Sequence, residues 1–338
     1  MDTVEAPPER RGIPKWLVPA IGYTVSAVSL IWVFWRFPFA QLGDHLRTLE
    51  WNWVAIAVLL EFTVYFVDAW RWKALLGPAG APSFGMCLQA VFVGLLANDI
   101  LPAKAGEVVR CFLLSYETEV PLSLAITSDI ILRIMDGLWI VIVYLLITFQ
   151  IATHVDVTRG MWVFGGGAVG AGLLLLFVLF RRQHAHEFVS TKSWATRFQD
   201  LLDQIHRLGH WRELRVAMGV SGLYWLAQVL AVWALTKADR FDLGLSAAAF
   251  LLVVKAVLTL VPNAPANMGA YQAAVVYAFG FLLVERANAQ AFAEIMFGFL
   301  TLPVAFGGAI AVVFADIDIL ALHHHAHRAH SKPIPEKS

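Results

Sequence analysis

The sequence has few charged residues. Asp, Glu, Lys and Arg make up only 15% of its 338 residues, whereas a typical soluble domain carries roughly 25%. Hydrophobic residues make up 59% and the mean hydropathy is +0.67. The composition therefore predicts an integral membrane protein rather than two soluble domains.

The sequence also lacks an excess of either charge. It has 25 Lys and Arg residues against 25 Asp and Glu residues, and binding to nucleic acid phosphates needs a basic excess. Nucleic acid is therefore excluded as a partner. Only two cysteines are present, Cys87 and Cys111, so a disulfide framework is excluded and both are expected to be packing residues.

Catalytic motifs are missing as well. We find no nucleophile elbow, zinc-protease motif or phosphate-binding loop, and no polar segment long enough to form a soluble catalytic domain. The histidines of the tail 316–338 lack the Cys or carboxylate partners of a metal site, so a solvated tail is expected. We therefore expect no catalytic set, no metal and no cofactor.

Six stretches are apolar enough and long enough to span a bilayer as helices. They are residues 17–35, 52–70, 122–148, 161–180, 216–236 and 295–315. The first follows a polar N-terminus without a small-residue cleavage site, so it is expected to be a retained span.

Two further apolar stretches, 84–116 and 243–284, are interrupted by Pro, Gly and Asn. Broken backbone at membrane depth is tolerated only inside protein or beside a wet cavity. We therefore predict a re-entrant hairpin for each stretch, although the second could also form two tight spans.

Charge in the loops tests this layout, because cytoplasmic loops carry an excess of Lys and Arg. With the hairpin 84–116 returning to its own side, most Lys and Arg residues lie on one side, including Arg71 in loop 71–83 and the basic linker 181–215. A full span at 84–98 would put that linker on the opposite side. The layout therefore predicts that both termini, 1–16 and 316–338, are cytoplasmic.

The fold predicted for residues 1–338 is a single all-α polytopic membrane domain with an inverted repeat. The first half (17–148) contains the hairpin 84–116, and the second half (216–315) contains the hairpin 243–284. Such repeats are typical of secondary transporters, with the site at the midplane. The linker 181–215 has an amphipathic pattern, which fits either a helix on the inner leaflet or one packed on the cytoplasmic mouth.

Several residues at the first break could bind an anion. Glu107 and Arg110 are three positions apart and share a helix face. Arg110 could hold a phosphate with two hydrogen bonds, or the two side chains could simply neutralise each other. Asp129, Arg133 and Asp136 share one face of a predicted span, which fits a wet interior, a proton relay or a structural ion network.

Lys255 is the only charge in the stretch 243–284, and could bind a phosphate or reach the membrane surface. The expected substrate-binding residues are Asn98, Lys104, Glu107, Arg110, Arg133, Lys255 and Asn267. Asp99, Asp129 and Asp136 are expected to balance charge or carry protons.

The segment from Asn98 to Arg110 reads N-x-x-L-P-x-K-x-G-E-x-x-R. It resembles the lysylphosphatidylglycerol synthase transmembrane family, also called flippase-like domain proteins, in which Arg is common at the position of Lys104. Arg71-Trp72 and Arg133-x-x-Asp136 are similar to two other family elements, although Leu132 stands where Glu is usual. A Pro- and Gly-rich element is also similar, but has Gln272 where Glu is usual.

The resemblance covers essentially the whole chain and implies lipid translocation or lipid-linked envelope work. In two-domain members the membrane part flips an aminoacylated phospholipid made by an aminoacyl-transfer domain. This sequence shows no counterpart of that domain, so synthase activity is not expected.

We therefore expect an inner-membrane lipid transporter whose substrate has a polar, phosphate-bearing headgroup. One alternative is a membrane-embedded enzyme acting on lipid headgroups, with Glu107 or Asp136 as acid or base. Another is a scaffold for an envelope-lipid complex that transports nothing. A membrane lipid is the expected partner, and a homodimer stays open.

Overall fold

The computed structural model describes residues 39–80, 82–101, 104–150, 155–180, 205, 208, 210–260 and 265–314. Within them the protein is all-helical, with ten α-helices and no strand. They are α1 (Phe39–Thr48), α2 (Trp51–Leu75), α3 (Phe84–Ile100), α4 (Gly106–Glu117), α5 (Leu122–Thr148), α6 (Val155–Phe180), α7 (Trp211–Ala238), α8 (Leu245–Leu258), α9 (Ala270–Phe281) and α10 (Arg286–Phe314).

Five of these helices, α2, α5, α6, α7 and α10, are long and apolar enough to cross a membrane. They coincide with five of the six predicted spans, and the protein is a multi-pass membrane protein. The predicted span 17–35, the tail 316–338 and most of the linker 181–215 lie outside the described residues. Of that linker's described apolar residues, Leu208 is fully buried and Trp211 is exposed.

Helix α2 differs from its prediction at its C-terminal end. The predicted span ended at residue 70, which placed Arg71 in a cytoplasmic loop, and this boundary was wrong. The helix continues to Leu75, and Arg71 is only 1% exposed. Two carboxylates described below, Asp68 and Asp136, neutralise this guanidinium, and that allows a charge to continue an apolar helix.

Besides α1, four helices are too short to span: α3, α4, α8 and α9 have 17, 12, 14 and 12 residues. Helix α3 begins with a cap, because Ser83 Oγ accepts a hydrogen bond from the Met86 N–H at 3.2 Å. It ends at Leu101, whose extended backbone is typical of a residue before proline. Helix α9 follows Gly269, whose φ of +85° favours glycine.

The core has two main parts that share α2, α5, α7 and α10. The first part packs these helices with α8 and α9, and the second packs them with α3 and α4. The contact between α2 and α7 is the most extensive between any two described helices. Helix α6 lies at the rim, because it packs mainly on α5 and leaves most of its surface exposed.

A polar clamp joins α1 to the C-terminal end of α7 and to the start of α10. His45 Nδ1 donates to the Asp239 carboxylate at 2.7 Å, and His45 Nε2 lies 3.3 Å from Asn288 Oδ1. The Asp239 side chain is 2% exposed. Burial raises the pKa of the Asp239 carboxyl, and the hydrogen bond with His45 opposes that rise.

We expect His45→Ala to lower the free energy of unfolding by about 1.5–3 kcal/mol, because it removes a charge-assisted hydrogen bond from a buried carboxylate. Thermal unfolding of the purified protein in detergent measures this loss. Asp44→Ala, which changes a side chain that is 72% exposed, is the control and should leave the melting temperature unchanged. If His45→Ala and Asp44→Ala have the same melting temperature, the clamp does not stabilise the protein.

Candidate functional site

Among the described residues, the most buried charge is Arg71 in α2. Its Nε donates to Asp68 Oδ1 at 2.7 Å, one turn earlier in the same helix. Both of its terminal nitrogens donate to the Asp136 carboxylate of α5, Nη2 at 3.1 Å. Its guanidinium carbon lies 4.0 Å from the centre of the Tyr224 ring in α7. Arg71 therefore joins three spanning helices.

Arg110 of α4 is likewise held by acidic side chains from several helices. Its Nη1 lies 3.4 Å from Asp68 Oδ2, its Nη2 lies 3.4 Å from Glu107 Oε2, and it also pairs directly with Asp129 of α5. The side chain is 4% exposed, and its guanidinium lies over the Trp72 ring. Arg110 thus sits among three carboxylates.

Arg133 of α5 completes the arrangement. Its Nη2 donates to both carboxylate oxygens of Glu107 at 2.6 Å, and its Nη1 lies 3.6 Å from Asp136 Oδ2. The ion pairs therefore form a closed cycle of alternating charge. We call its six members the charge ring: Arg71, Asp136, Arg133, Glu107, Arg110 and Asp68.

Glycine allows α4 to approach closely enough to join the ring. A Cβ at Gly106 would overlap the Gly94 carbonyl oxygen and lie 2.7 Å from Asn98 Cγ. A Cβ at Gly94 would lie 2.6 Å from Arg110 Cβ. Asn98 Oδ1 accepts the Gly106 N–H at 2.8 Å, which satisfies a free donor in the first turn of α4.

A cavity of about 680 Å³ lies beside the ring. Its walls are apolar residues of α5 and α6, among them Ile130, Ile134, Val163 and Phe164. Its polar lining includes Lys104, Arg133, Asp136 and Lys255. Arg133 is the ring member that reaches it most openly, with 46% of its side chain exposed, against 1% for Arg71 and 4% for Arg110.

The predicted site residues thus separate into groups. Lys104, Arg133, Asp136 and Lys255 line one cavity although they come from three separate parts of the chain. Glu107, Arg110 and Asp129 lie in or against the charge ring. Asn98 caps α4, Asp99 is half-buried near the end of α3, and Asn267 is half-buried in the turn before α9.

The expected site residues did not include Asp68 and Arg71, which are central to the ring, although Arg71 had been matched to a family element. Their spacing could have revealed them. An acid and a base three positions apart at the end of an apolar stretch lie on one helix face and can pair there. A second missed pair is Gln272 and Glu294, whose amide nitrogen and carboxylate oxygen lie 3.4 Å apart.

The described residues contain no group of His, Cys, Asp and Glu side chains that could hold a metal ion. Cys87 and Cys111 are free and buried.

Comparison with known proteins finds similarity to one family of membrane proteins. The family profile for the lysylphosphatidylglycerol synthase TM region matches residues 20–308. A UPF0104 membrane protein of Methanothermobacter thermautotrophicus is 21% identical over 305 residues, which cover 80% of this chain and 88% of that protein. Another protein of the same name and organism is 30% identical over 103 residues, 29% of each chain. No solved structure matches the chain.

Proposed function

The chain belongs to the lysylphosphatidylglycerol synthase TM region family, and from this premise we propose that it translocates an anionic, phosphate-bearing lipid across the inner membrane. The cavity beside the charge ring would hold the headgroup. No aminoacyl transfer is included in this proposal.

The observation that carries the proposal is the lining of that cavity. Lys104, Arg133 and Lys255 all reach it, and Arg and Lys are the side chains that bind phosphate best. Its volume of about 680 Å³ is within the range of small-molecule sites. Among the described residues, Asp136 is the one acid that lines it, and Arg71 and Arg133 share that carboxylate, so the excess positive charge comes from Lys104 and Lys255. The cavity therefore favours a negative headgroup.

An adjoining groove suits an acyl chain. It has a volume of about 280 Å³, lies between α5, α6 and α7, and shares Ile134 with the headgroup cavity. Its other walls are almost entirely aliphatic, including Leu138, Leu173 and Leu176. A lipid with its phosphate near Arg133 could place a tail here without exposing it to water.

The short helices fit re-entrant hairpins within this proposal. At 1.5 Å per residue, α3 and α8 extend roughly 26 Å and 21 Å, less than the bilayer core of about 30 Å. Lys104 lies between α3 and α4, and Lys255 lies in α8. Both residues line the same cavity. We infer from this convergence an inverted repeat, and the excess of Lys and Arg in the linker 181–215 supports termini in the cytoplasm.

Reconstitution in liposomes tests the function. Fluorescent phosphatidylglycerol should move between leaflets faster than a zwitterionic phosphatidylcholine probe, measured by bleaching the outer leaflet with dithionite. Arg133→Gln should slow phosphatidylglycerol about tenfold, which corresponds to losing about 1.4 kcal/mol of charge-assisted binding. Arg47→Gln, whose side chain is 84% exposed, is the matched control and should transport normally.

Other outcomes would favour the alternatives. Chemical conversion of the probe in the liposomes would favour an enzyme acting on headgroups. Neither movement nor conversion by the folded wild-type protein would favour a scaffold. Equal rates for Arg133→Gln and wild type would show that the cavity does not bind the headgroup.

A further inference from the structure

A separate polar pocket lies where the ends of three helices meet. It has a volume of about 500 Å³ and is formed by the C-terminal end of α2, the start of α3 and the first turns of α7. Its charged lining residues are Lys73 of α2 and Arg212 and Glu213 of α7. None of the described residues that line it belongs to the charge ring or to the headgroup cavity.

The pocket lies at the level of a membrane–water interface. Lys73 is in the last turn of the apolar helix α2, and Arg212 is in the first turn of α7. Trp70 on the pocket wall and Trp211 next to Arg212 in the sequence are 48% and 51% exposed. Tryptophans at the ends of spanning helices are typical of the headgroup region of a bilayer. A ligand in this pocket would therefore contact both lipid and water.

The charged side chains of the pocket are not paired with one another. Among the described residues, no ion pair joins Lys73, Arg212 or Glu213 to any partner. Glu213 Oε2 is buried, and it has no hydrogen-bond partner in the described part of the chain. A buried carboxylate oxygen without a donor is costly, and such an atom is normally satisfied by a bound group or water. The pocket therefore offers one acceptor that needs a donor and two bases that are available to an anion.

Helix packing determines the walls of the pocket. The helices that carry its charges, α2 and α7, have the most extensive contact between any two described helices. A Cβ at Gly77 would lie 4.0 Å from Glu213 Cγ, so the Glu213 side chain rests beside the turn that follows α2. Phe84 at the start of α3 forms an apolar wall, and its ring stacks on that of Phe66 in α2 with 6.2 Å between the ring centres. The pocket thus combines fixed charges with an apolar side.

We propose that this pocket binds the headgroup of a phospholipid that carries a primary amine, with Lys73 and Arg212 on the phosphate and Glu213 on the ammonium. Lys and Arg both bind phosphate, and a primary ammonium offers three N–H donors to a carboxylate. Trp70 and Phe84 would lie against the glycerol and the upper part of the acyl chains. Because this pocket and the headgroup cavity share no lining residue, the inference does not depend on the proposed function.

The combination of charges selects among the common headgroups. A headgroup with only negative charge would bind the two bases, but it would leave Glu213 beside a like charge and without a donor. The trimethylated ammonium of phosphatidylcholine has no N–H, so it cannot donate a hydrogen bond to Glu213 Oε2. Phosphatidylethanolamine supplies both a phosphate and N–H donors, and it therefore matches all three charged side chains.

Native mass spectrometry of the purified full-length protein in detergent measures lipid binding without transport. Phosphatidylethanolamine, phosphatidylcholine and phosphatidylglycerol with identical short acyl chains are compared. The double variant Lys73→Gln/Arg212→Gln removes the phosphate contacts, so the binding that it loses relative to wild type is assigned to this pocket. We expect the pocket to bind phosphatidylethanolamine at least about tenfold more tightly than phosphatidylcholine, which corresponds to one charge-assisted hydrogen bond.

Glu213→Gln tests the ammonium contact. It should lower the affinity for phosphatidylethanolamine about tenfold and affect phosphatidylcholine less, because the two bases that bind phosphate are kept. Asp44→Asn, which removes a carboxylate that is 72% exposed in α1, is the control and should keep the wild-type preference. Melting temperatures in detergent check that each variant is folded, and the comparison of lipids on the wild-type protein needs no variant.

Equal affinities of wild type for phosphatidylethanolamine and phosphatidylcholine would overturn the proposal, as would a preference that persists in Glu213→Gln. Tighter binding of phosphatidylglycerol by this pocket would overturn it too, because the pocket would then be a simple basic surface. Soluble phosphoethanolamine should compete only weakly, and competition at equal affinity would show that the ligand is not a lipid. If phosphatidylethanolamine binds here but no lipid crosses the liposome membrane, the proposed function fails and this site stands.

Discussion

Arg71→Ala should leave the protein unable to fold stably. The substitution removes the cation that Asp68 and Asp136 share, and leaves two carboxylates buried without it. Removing one partner of a buried charge pair costs about 3–5 kcal/mol. That is a large part of the total stability of a typical domain, about 5–15 kcal/mol. The yield of monodisperse protein and its melting temperature in detergent measure the loss.

Arg71→Lys is the informative companion variant. An ammonium keeps the charge but cannot place three nitrogens between two carboxylates as the guanidinium does. We expect an intermediate melting temperature and a distorted ring. Arg47→Ala, at a side chain that is 84% exposed, should melt like wild type. A wild-type melting temperature for Arg71→Ala would show that the ring contributes nothing to stability.

Gly106→Ala should have a comparably large effect with the smallest possible change in side chain. The added methyl group would overlap the Gly94 carbonyl oxygen, so α3 and α4 would have to separate. Overpacking of this kind typically costs about 1–3 kcal/mol. The displacement would also move Arg110, one turn later, away from Asp68 and Asp129. We therefore expect transport to fall further than stability does.

Gly166→Ala is the matched control for this variant, because a Cβ at Gly166 in α6 meets no atom within 4 Å. In a helix interior Ala is more favourable than Gly by about 0.8–1.0 kcal/mol, so this variant should be neutral or slightly stabilised. Melting temperature and lipid movement are compared for the two. If Gly106→Ala equals Gly166→Ala in both measurements, the close approach of α3 and α4 is not required.

Much of the helical architecture could be predicted from the sequence. Long apolar stretches and their Pro- and Gly-containing interruptions depend on local composition, so five spans and four short helices lie close to their predicted places. Residues 39–48, which form α1, were expected only as part of a connection. Their helix is held by a clamp between His45 and Asp239 that joins distant positions.

The site was predicted less completely than the helices, because it too depends on contacts between distant positions of the chain. Lys104, Arg133 and Lys255 were expected to bind the same headgroup because each is a costly charge in an apolar segment. The sequence offered no rule for pairing Arg71 with Asp136, 65 positions later. Nor could it separate Arg110, which is surrounded by carboxylates, from Arg133, which opens to the cavity. Such pairings depend on which helices pack together.

The position of α6 places the bilayer against the cavity proposed to bind the headgroup. Val163 and Phe164 form one of its walls, yet the helix that carries them rests mainly on α5 and presents Leu173 and Leu174 to lipid. Its apolar span, Thr158–Phe177, has 20 residues and extends roughly 30 Å, close to the thickness of a typical hydrocarbon core, so a change in membrane thickness acts on it directly. A thicker or thinner bilayer would tilt it differently and reshape that wall. Acyl-chain length in the surrounding membrane would thereby change the shape of the proposed headgroup cavity without altering any of the charged residues that line it.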